Sequence, residues 1–150
     1  EEKKRKMIQF MDICVGVPVL EFDQDPTLLT RRSLYGKAGE HRPTPYGVEY
    51  RVLGNYCLRS PVTTALAFAL TSYTANEFHR RTPIQRANFI AGQHRFVPTP
   101  METINAGRIK DYNRIVGTPL PSQLYSAVAK RQSLDLYRDW QIEINQKKAA

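Results

Sequence analysis

Residues 31–60, RRSLYGKAGEHRPTPYGVEYRVLGNYCLRS, set one strand pattern among cations, aromatic residues and turn formers. The stretch contains six Lys or Arg against two Glu, with four tyrosines and four glycines. Within it, residues 47–53 (GVEYRVL) alternate as the residues of a strand do. The two faces of that strand are Val48, Tyr50 and Val52 on one side and Glu49, Arg51 and Leu53 on the other. The glycines and prolines before it predict a structured loop or a pair of short strands.

The N-terminal segment has the pattern of a short helix. Residues 4–14 place apolar side chains at helical spacing, and Gly16 and Pro18 are expected to end this helix. Residues 17–22 (VPVLEF) then predict an extended segment, and residues 23–26 (DQDP) a turn.

A second helix is predicted after the strand. Ser60 offers an N-cap side chain and Pro61 suits the first helical position, so a helix should run from here to about residue 80. Its apolar stripe consists of Val62, Ala65, Leu66, Ala69, Leu70 and Tyr73, widened by Phe68. We expect this helix to be the most buried element and to pack on the Val48, Tyr50 and Val52 face of the strand.

The remaining sequence predicts further helix. Residues 82–100 look irregular or weakly helical, whereas Thr99 and Glu102 have capping-box spacing and open a helix interrupted near Gly107. Beyond a stop at Gly117, a last helical region is expected over residues 122–146.

The composition and these elements predict one α+β domain over residues 1–150, with more helix than strand and a helical C-terminal region. No apolar run is long enough to span a membrane. Cys14 and Cys57 lie among apolar neighbours and are expected to be buried free thiols. The three histidines are scattered, which argues against a zinc site.

The net charge of +8 is unevenly distributed. Residues 31–59 carry a net charge of +4 and residues 79–114 a net charge of +5, on either side of an apolar segment. Two cationic blocks favour an anionic partner without identifying it.

The charged face of the strand suggests a particular anion site. Glu49 and Arg51 project from one face, where a carboxylate suits magnesium and a planar guanidinium suits a phosphate or a carboxylate. The cations of residues 31–42 precede them in what is expected to be a Gly-rich loop, whose backbone N–H groups approach anions readily. A solvated ion pair on an exposed strand is the structural alternative, and the spacing alone leaves both open.

The same residues resemble a phage-type carboxylate–amine ligase family (type two) of the glutamine synthetase and glutamate–cysteine ligase superfamily. The shared pattern is R-x-x-Y-G-K-A-G from Arg32 to Gly39, then Arg42, then Y-G-x-E-Y-R-x-L over residues 46–53. The upstream segment DICVGVPVLEFDQD is similar as well. The clear part of the resemblance covers roughly residues 8–80.

The resemblance implies a glutamine synthetase-like catalytic domain, of which this chain contributes part of an antiparallel sheet packed with helices. It further implies the joining of a carboxylate to an amine through an acyl phosphate, with ATP and Mg2+ as cofactors. It assigns Glu49 to the metal and to catalysis, and Arg51 to catalysis beside it. Candidate ATP or substrate contacts are Arg32, Tyr35, Lys37 and Arg42. The expected partners are a small-molecule or peptide carboxylate and an amine, with a homo-oligomer or a phage assembly as a further expectation and no membrane. The expected location is the cytoplasm of the bacterial host or the virion.

The acidic ligands that the superfamily carries on earlier strands have no counterpart in residues 1–30. We therefore expect the chain to be the C-terminal part of a longer ligase-like chain, whose N-terminal half supplies the remaining metal ligands. Catalysis by these residues alone is left open.

Two other functions compete with the ligase. A non-catalytic structural or virion-associated phage protein on a ligase-derived fold would explain the missing acids. A nucleic-acid-binding module would use the tyrosines and arginines for stacking and phosphate contacts, but Glu49 at the centre of the patch would repel a backbone, so this reading is less favoured.

Overall fold

The computed structural model describes residues 1–21, 23, 25–95 and 98–107. The predicted stop at Gly117 and the predicted helix over residues 122–146 lie outside these residues. Within them, helices surround one two-stranded antiparallel sheet, which confirms the α+β class.

The N-terminal helix is longer than the sequence predicted. Helix α1 (Glu2–Met11) continues through a π-helical segment (Asp12–Gly16) into α2 (Val17–Val19), so the expectations of a stop at Gly16 and of an extended segment from residue 17 were wrong. Pro18 has no backbone N–H to donate to the preceding turn, and that turn is the wider π-helical segment Asp12–Gly16. Every residue of the segments from Asp12 to Val19 is buried, so packing outweighs the local preference of Gly and Pro to end a helix.

Helix α3 (Leu28–Leu34) occupies a segment that was predicted as loop or short strands. It brings Arg31 and Arg32 onto a helix instead of a Gly-rich loop. The Gly-rich turn, residues 35–40, follows it. Its Gly36 and Gly39 both adopt positive φ, which glycine tolerates at no steric cost. A Cβ on Gly36 would also lie 2.2 Å from Arg31 Nη1, so this turn closes directly over the arginine.

The sheet is a hairpin of β1 (His41–Thr44) and β2 (Gly47–Tyr50), joined by a turn at residues 45–46. The register pairs Arg42 with Glu49. The regular strand ends at Tyr50, earlier than the predicted limit of residue 53, although Arg51 N–H still donates to Glu40 O at 3.0 Å.

Helix α4 (Pro61–Arg80) confirms the predicted helix and its Ser60 cap, which accepts from Thr63 N–H. Its buried positions recur every fourth residue: Leu66, Leu70, Thr74 and Phe78. Phe68, which was assigned to the apolar stripe, is 77% exposed. The residues from Asp12 to Val19 are more continuously buried than α4, so the expectation that α4 is the most buried element was wrong.

The partner of α4 also differs from the prediction. Leu66 and Leu70 pack with residues of the N-terminal helix and the 3-10 segment Asn55–Leu58, in a cluster that consists of Met11, Val15, Val19, Tyr56, Leu66 and Leu70. Tyr50 packs against this cluster, but Val52 lies in a second one with Val17, Leu20, Leu28 and Ile104. The N-terminal helix, and not a strand face, is therefore the main surface under α4.

Helices α5 (Pro83–Gln93) and α6 (Pro100–Ala106) both begin with capping boxes. The capping box at Thr99 was predicted. The one at Thr82, with Gln85 in the third position, was missed, because this segment was predicted as irregular or weakly helical. Gly107 ends α6 in the left-handed conformation.

Phe78 and Ile90 form a third cluster with α1 side chains and the buried thiol of Cys14, while Cys57 is only half-buried. No helix in these described ranges is long and apolar enough to cross a membrane.

Candidate functional site

The hairpin carries a row of three charges on one face. The Arg42 guanidinium pairs with Glu49 Oε2 across the strands, and Arg51 Nε lies 3.1 Å from Glu49 Oε1. The side chains of Arg42, Glu49 and Arg51 are 61%, 39% and 29% exposed. The structure therefore confirms that Glu49 and Arg51 share a face, and it places a carboxylate between two guanidinium groups that solvent and a ligand can reach.

Tyr35 lies between two arginines beside this row. The Arg51 guanidinium is 4.8 Å from the centroid of the Tyr35 ring, and that of Arg31 is 5.1 Å away. Cation–π contact of this kind fixes a guanidinium without consuming its N–H donors. Tyr35 thereby positions Arg51.

Arg31 has a different task from Arg51. Its guanidinium donates to the carbonyl oxygens of Leu53 at 2.8 Å, Arg51 at 3.2 Å and Val52 at 3.3 Å. These three carbonyls follow the end of β2, where ladder partners are absent, so Arg31 satisfies backbone that would otherwise be unpaired. It holds the segment that carries Arg51 in place.

Lys37 and Arg32 lie together in a second place, a cleft of about 350 Å³ that is completed by Leu29, Ser33 and Asn105. Lys37 is exposed there. The cleft is shaped by α6, because Asn105 Oδ1 accepts from the N–H of Ala38 at 2.9 Å and ties the Gly-rich turn to that helix.

Arg32 is an interior residue at the bottom of this cleft. It is 3% exposed, and its guanidinium donates to Ile104 O. Burial lowers the pKa of Arg32, while the nearby Asp23 carboxylate raises it. Burial in turn raises the pKa of Asp23, which Arg32 partly offsets. Such an environment makes Arg32 a support for α6 as well as a lining residue of the cleft.

A buried carboxylate below the strand was missed by the sequence interpretation. Asp12 lies in the π-helical segment, accepts a hydrogen bond of 2.7 Å from the Tyr50 hydroxyl and a further one from the backbone N–H of Gly39. Burial raises the pKa of Asp12 from 3.8 to about 6, although both hydrogen bonds and the nearby His41 oppose this. Asp12 thus connects the N-terminal helix, the Gly-rich turn and the strand that carries Glu49.

The π turn and this carboxylate occur at the same position, and single π turns are frequent at functional sites. One signal could have pointed to Asp12: it is the only acidic residue between Glu2 and Glu21, within an otherwise apolar run. A Cβ on Gly16 would lie 2.5 Å from the Tyr50 hydroxyl, so this glycine lets the tyrosine approach the helix.

The predicted site residues therefore fall into two groups. One group is a chain of contacts at the hairpin that consists of Arg42, Glu49, Arg51 and Tyr35. The other group is Arg32 and Lys37, which line the cleft beside α6. Their assignment to ATP, substrate and metal stays a prediction, because geometry of this kind also suits a structural ion-pair network.

A divalent cation at the hairpin would need oxygen ligands, chiefly carboxylates. In the described ranges, no group of three or more His, Cys, Asp or Glu side chains could hold a metal ion. Glu49 is a single half-exposed carboxylate whose two oxygens each face a guanidinium. Magnesium in phosphate-transfer sites commonly takes one or two carboxylates together with phosphate oxygens, so Glu49 fits as a partial ligand of a nucleotide-bound ion.

Comparison with known proteins identifies the chain by family. No curated protein and no solved structure matches it. A family described as phage phiEco32-like COOH.NH2 ligase-type 2 matches residues 2–142, which takes in the Gly-rich turn, both strands and all the described helices. The chain therefore belongs to the phage phiEco32-like COOH.NH2 ligase-type 2 family.

Proposed function

We propose that the chain takes part in ATP-dependent joining of a carboxylate to an amine, with the hairpin as its phosphate-binding part. Membership of a carboxylate–amine ligase family supports the reaction class. The observation that carries the proposal is the placement of Glu49 between Arg42 and Arg51, in reach of solvent and beside the Gly-rich turn.

In this proposal the two guanidinium groups neutralise charge on the transferred phosphoryl group. Arg51 is stacked on Tyr35, so its planar donors are oriented before a ligand arrives. Arg42 is the more exposed of the two and pairs with Glu49 through a single side-chain contact, so it exchanges that contact for a phosphate oxygen. Lys37 and Arg32 contact phosphate or substrate carboxylate from the cleft.

The acyl phosphate would form when the substrate carboxylate attacks the terminal phosphorus of ATP and ADP leaves. The amine then attacks the acyl carbon, the C–N bond forms, and inorganic phosphate leaves with the electron pair of the C–O bond while the amine releases one proton to solvent. Magnesium, held by Glu49 and by the phosphates, would supply further neutralisation of negative charge.

An assay with hydroxylamine tests the reaction without knowledge of the natural amine. The full-length protein is incubated with ATP, magnesium and a panel of amino-acid and peptide carboxylates, and hydroxylamine converts an acyl phosphate to a coloured iron–hydroxamate complex. We expect a carboxylate-dependent hydroxamate that is lost in Glu49→Gln. Glu2→Gln is the matched control, because Glu2 is a surface residue whose ion-pair partner among the described residues is Lys6, one helical turn away. Hydroxamate formation by Glu49→Gln at the wild-type rate would contradict the proposal.

A structural phage protein on the same fold is the second candidate. It is favoured by one observation, that Arg31 and Arg32 both donate to backbone carbonyls and so serve the fold itself. In that case the wild-type protein forms no hydroxamate with any carboxylate, and Glu49→Gln changes the thermal melting temperature instead.

A further inference from the structure

The corner between α4 and α5 contains a second cleft, on other elements than the hairpin. It has a volume of about 630 Å³ and is lined by Arg80, Arg81, Gln85, Asn88 and Phe89. That volume is in the range of small-molecule sites, which run from about 300 to 1,000 Å³. These five described lining residues offer cations, amides and one aromatic ring, and none of the five is acidic.

Arg81 is held rigidly in this cleft. Its guanidinium lies 4.6 Å from the centroid of the Phe89 ring and 5.5 Å from that of Phe10, and Nη2 pairs with Glu77 Oε2 at 3.2 Å. The Arg81 side chain remains 30% exposed, so part of the guanidinium is accessible while its position is fixed. An arginine that is already ordered loses little entropy when it binds an anion.

The amide side chains lie on the same face of α5, three residues apart. Gln85 Oε1 accepts from the backbone N–H of Thr82 at 2.9 Å, in the capping box. Its carbonyl oxygen is therefore engaged, and the NH2 group is the part that can serve a ligand. Asn88 is exposed one turn further along and offers a second NH2 group.

The charge around the cleft is positive. Residues 78–95 contain four arginines and no Asp or Glu. Glu77, one residue earlier, pairs with both Arg80 and Arg81 and so leaves a net positive charge. Arg86 does not take part, because its Nε donates to Phe78 O at 2.7 Å and its guanidinium caps the end of α4.

We propose that this cleft binds the oxyanion, phosphate or carboxylate, of a small-molecule ligand. Arg81 supplies a fixed fork of donors, Arg80, which is 77% exposed, closes on the ligand, and the amides of Gln85 and Asn88 take the remaining oxygens. The volume of about 630 Å³ favours a compact ligand over an extended polymer. The site does not depend on the ligase proposal, since it shares no residue with the hairpin or with the cleft beside α6.

Titration of the whole chain with inorganic phosphate, and separately with glutarate, tests this site and distinguishes the two anions. The Nε–H resonance of Arg81 is followed by NMR, together with the side-chain NH2 resonances of Gln85, which every variant retains. We expect a saturable shift with one of the two probes and, from the Gln85 resonances, an affinity at least about tenfold lower in Arg81→Gln, since this change removes charge-assisted hydrogen bonds. Arg59→Gln is the control, because it removes one exposed positive charge elsewhere on the chain.

Arg81 also contacts the aromatic cluster, so a second variant guards against loss of folding. Asn88→Asp places a carboxylate in the cleft at an exposed position and should abolish saturable binding while the thermal melt stays unchanged. The proposal is overturned if neither anion shifts the Arg81 resonance, which includes the case that another part of the chain fills the cleft. Equal weakening in Arg59→Gln would also overturn it, because binding would then follow overall charge alone.

Discussion

The buried carboxylate of Asp12 should make the protein less stable as the pH rises. In the folded state its pKa is about 6, compared with 3.8 for a solvated Asp, chiefly because burial disfavours the charged form. Between these two pH values the folded state binds more protons than the unfolded state. The free energy of unfolding therefore falls as the pH rises through this window.

The magnitude follows from the same pKa values. The difference of about two pKa units, at 1.36 kcal/mol for each, corresponds to about 3 kcal/mol lost between roughly pH 4 and pH 7. Asp12→Asn removes the titration and keeps an oxygen that accepts from Tyr50. The variant should therefore gain about 3 kcal/mol relative to the wild type across this range.

Urea denaturation of both proteins at several pH values measures the difference directly. Asp25→Asn is the control with the opposite sign, because the hydroxyl and the amide of Thr27 lower the pKa of Asp25, so its contribution is lost as the pH falls. A difference between the wild type and Asp12→Asn that stays constant with pH, or that changes in favour of the wild type as the pH rises, would refute the assignment of Asp12 as a buried titrating group.

Three further predictions concern the core and the hairpin. Leu66→Ala should lower the free energy of unfolding by about 2–5 kcal/mol, whereas Phe68→Ala, at an exposed position of the same helix, should change it by less than about 0.5 kcal/mol; chemical denaturation checks both. In the full-length protein, Glu49→Gln should reduce ATP turnover by orders of magnitude, with partial rescue by excess magnesium. Arg51→Lys should also lose ATP turnover, because Lys lacks the planar fork of donors. If Glu49→Gln instead binds an oligonucleotide more tightly and Arg51→Lys leaves that affinity nearly unchanged, the site is one for nucleic acid. If a longer chain supplies the remaining metal ligands, these 150 residues alone should bind Mg-ATP weakly or not at all by calorimetry, and micromolar affinity would show that the nucleotide site is misplaced.

Local chemistry determined the features that the sequence predicted well. The caps at Ser60 and Thr99 depend on a side chain and a backbone N–H only three residues apart, so the helix starts could be read from the chain directly. The common face of Glu49 and Arg51 follows from the two-residue period of extended backbone. Family-like motifs around the Gly-rich turn likewise lie within one continuous stretch of sequence.

Contacts between distant residues decided the rest. Gly16 and Pro18 are helix breakers locally, yet they lie in a continuous helix because the surrounding segment is buried against α4 and α6. In the sequence Arg31 and Arg32 are simply two neighbouring cations. Their donation to the carbonyls of residues 51–53 and of Ile104 could not be predicted, because only the folded chain brings those groups together. Asp12 meets Tyr50 across 38 residues for the same reason. Relative to Ala, a Gly in a helix interior costs about 1 kcal/mol and a Pro about 3 kcal/mol, whereas each fully buried large apolar side chain contributes about 1.5–3 kcal/mol. Burial of the whole segment therefore outweighs the local preference of Gly16 and Pro18.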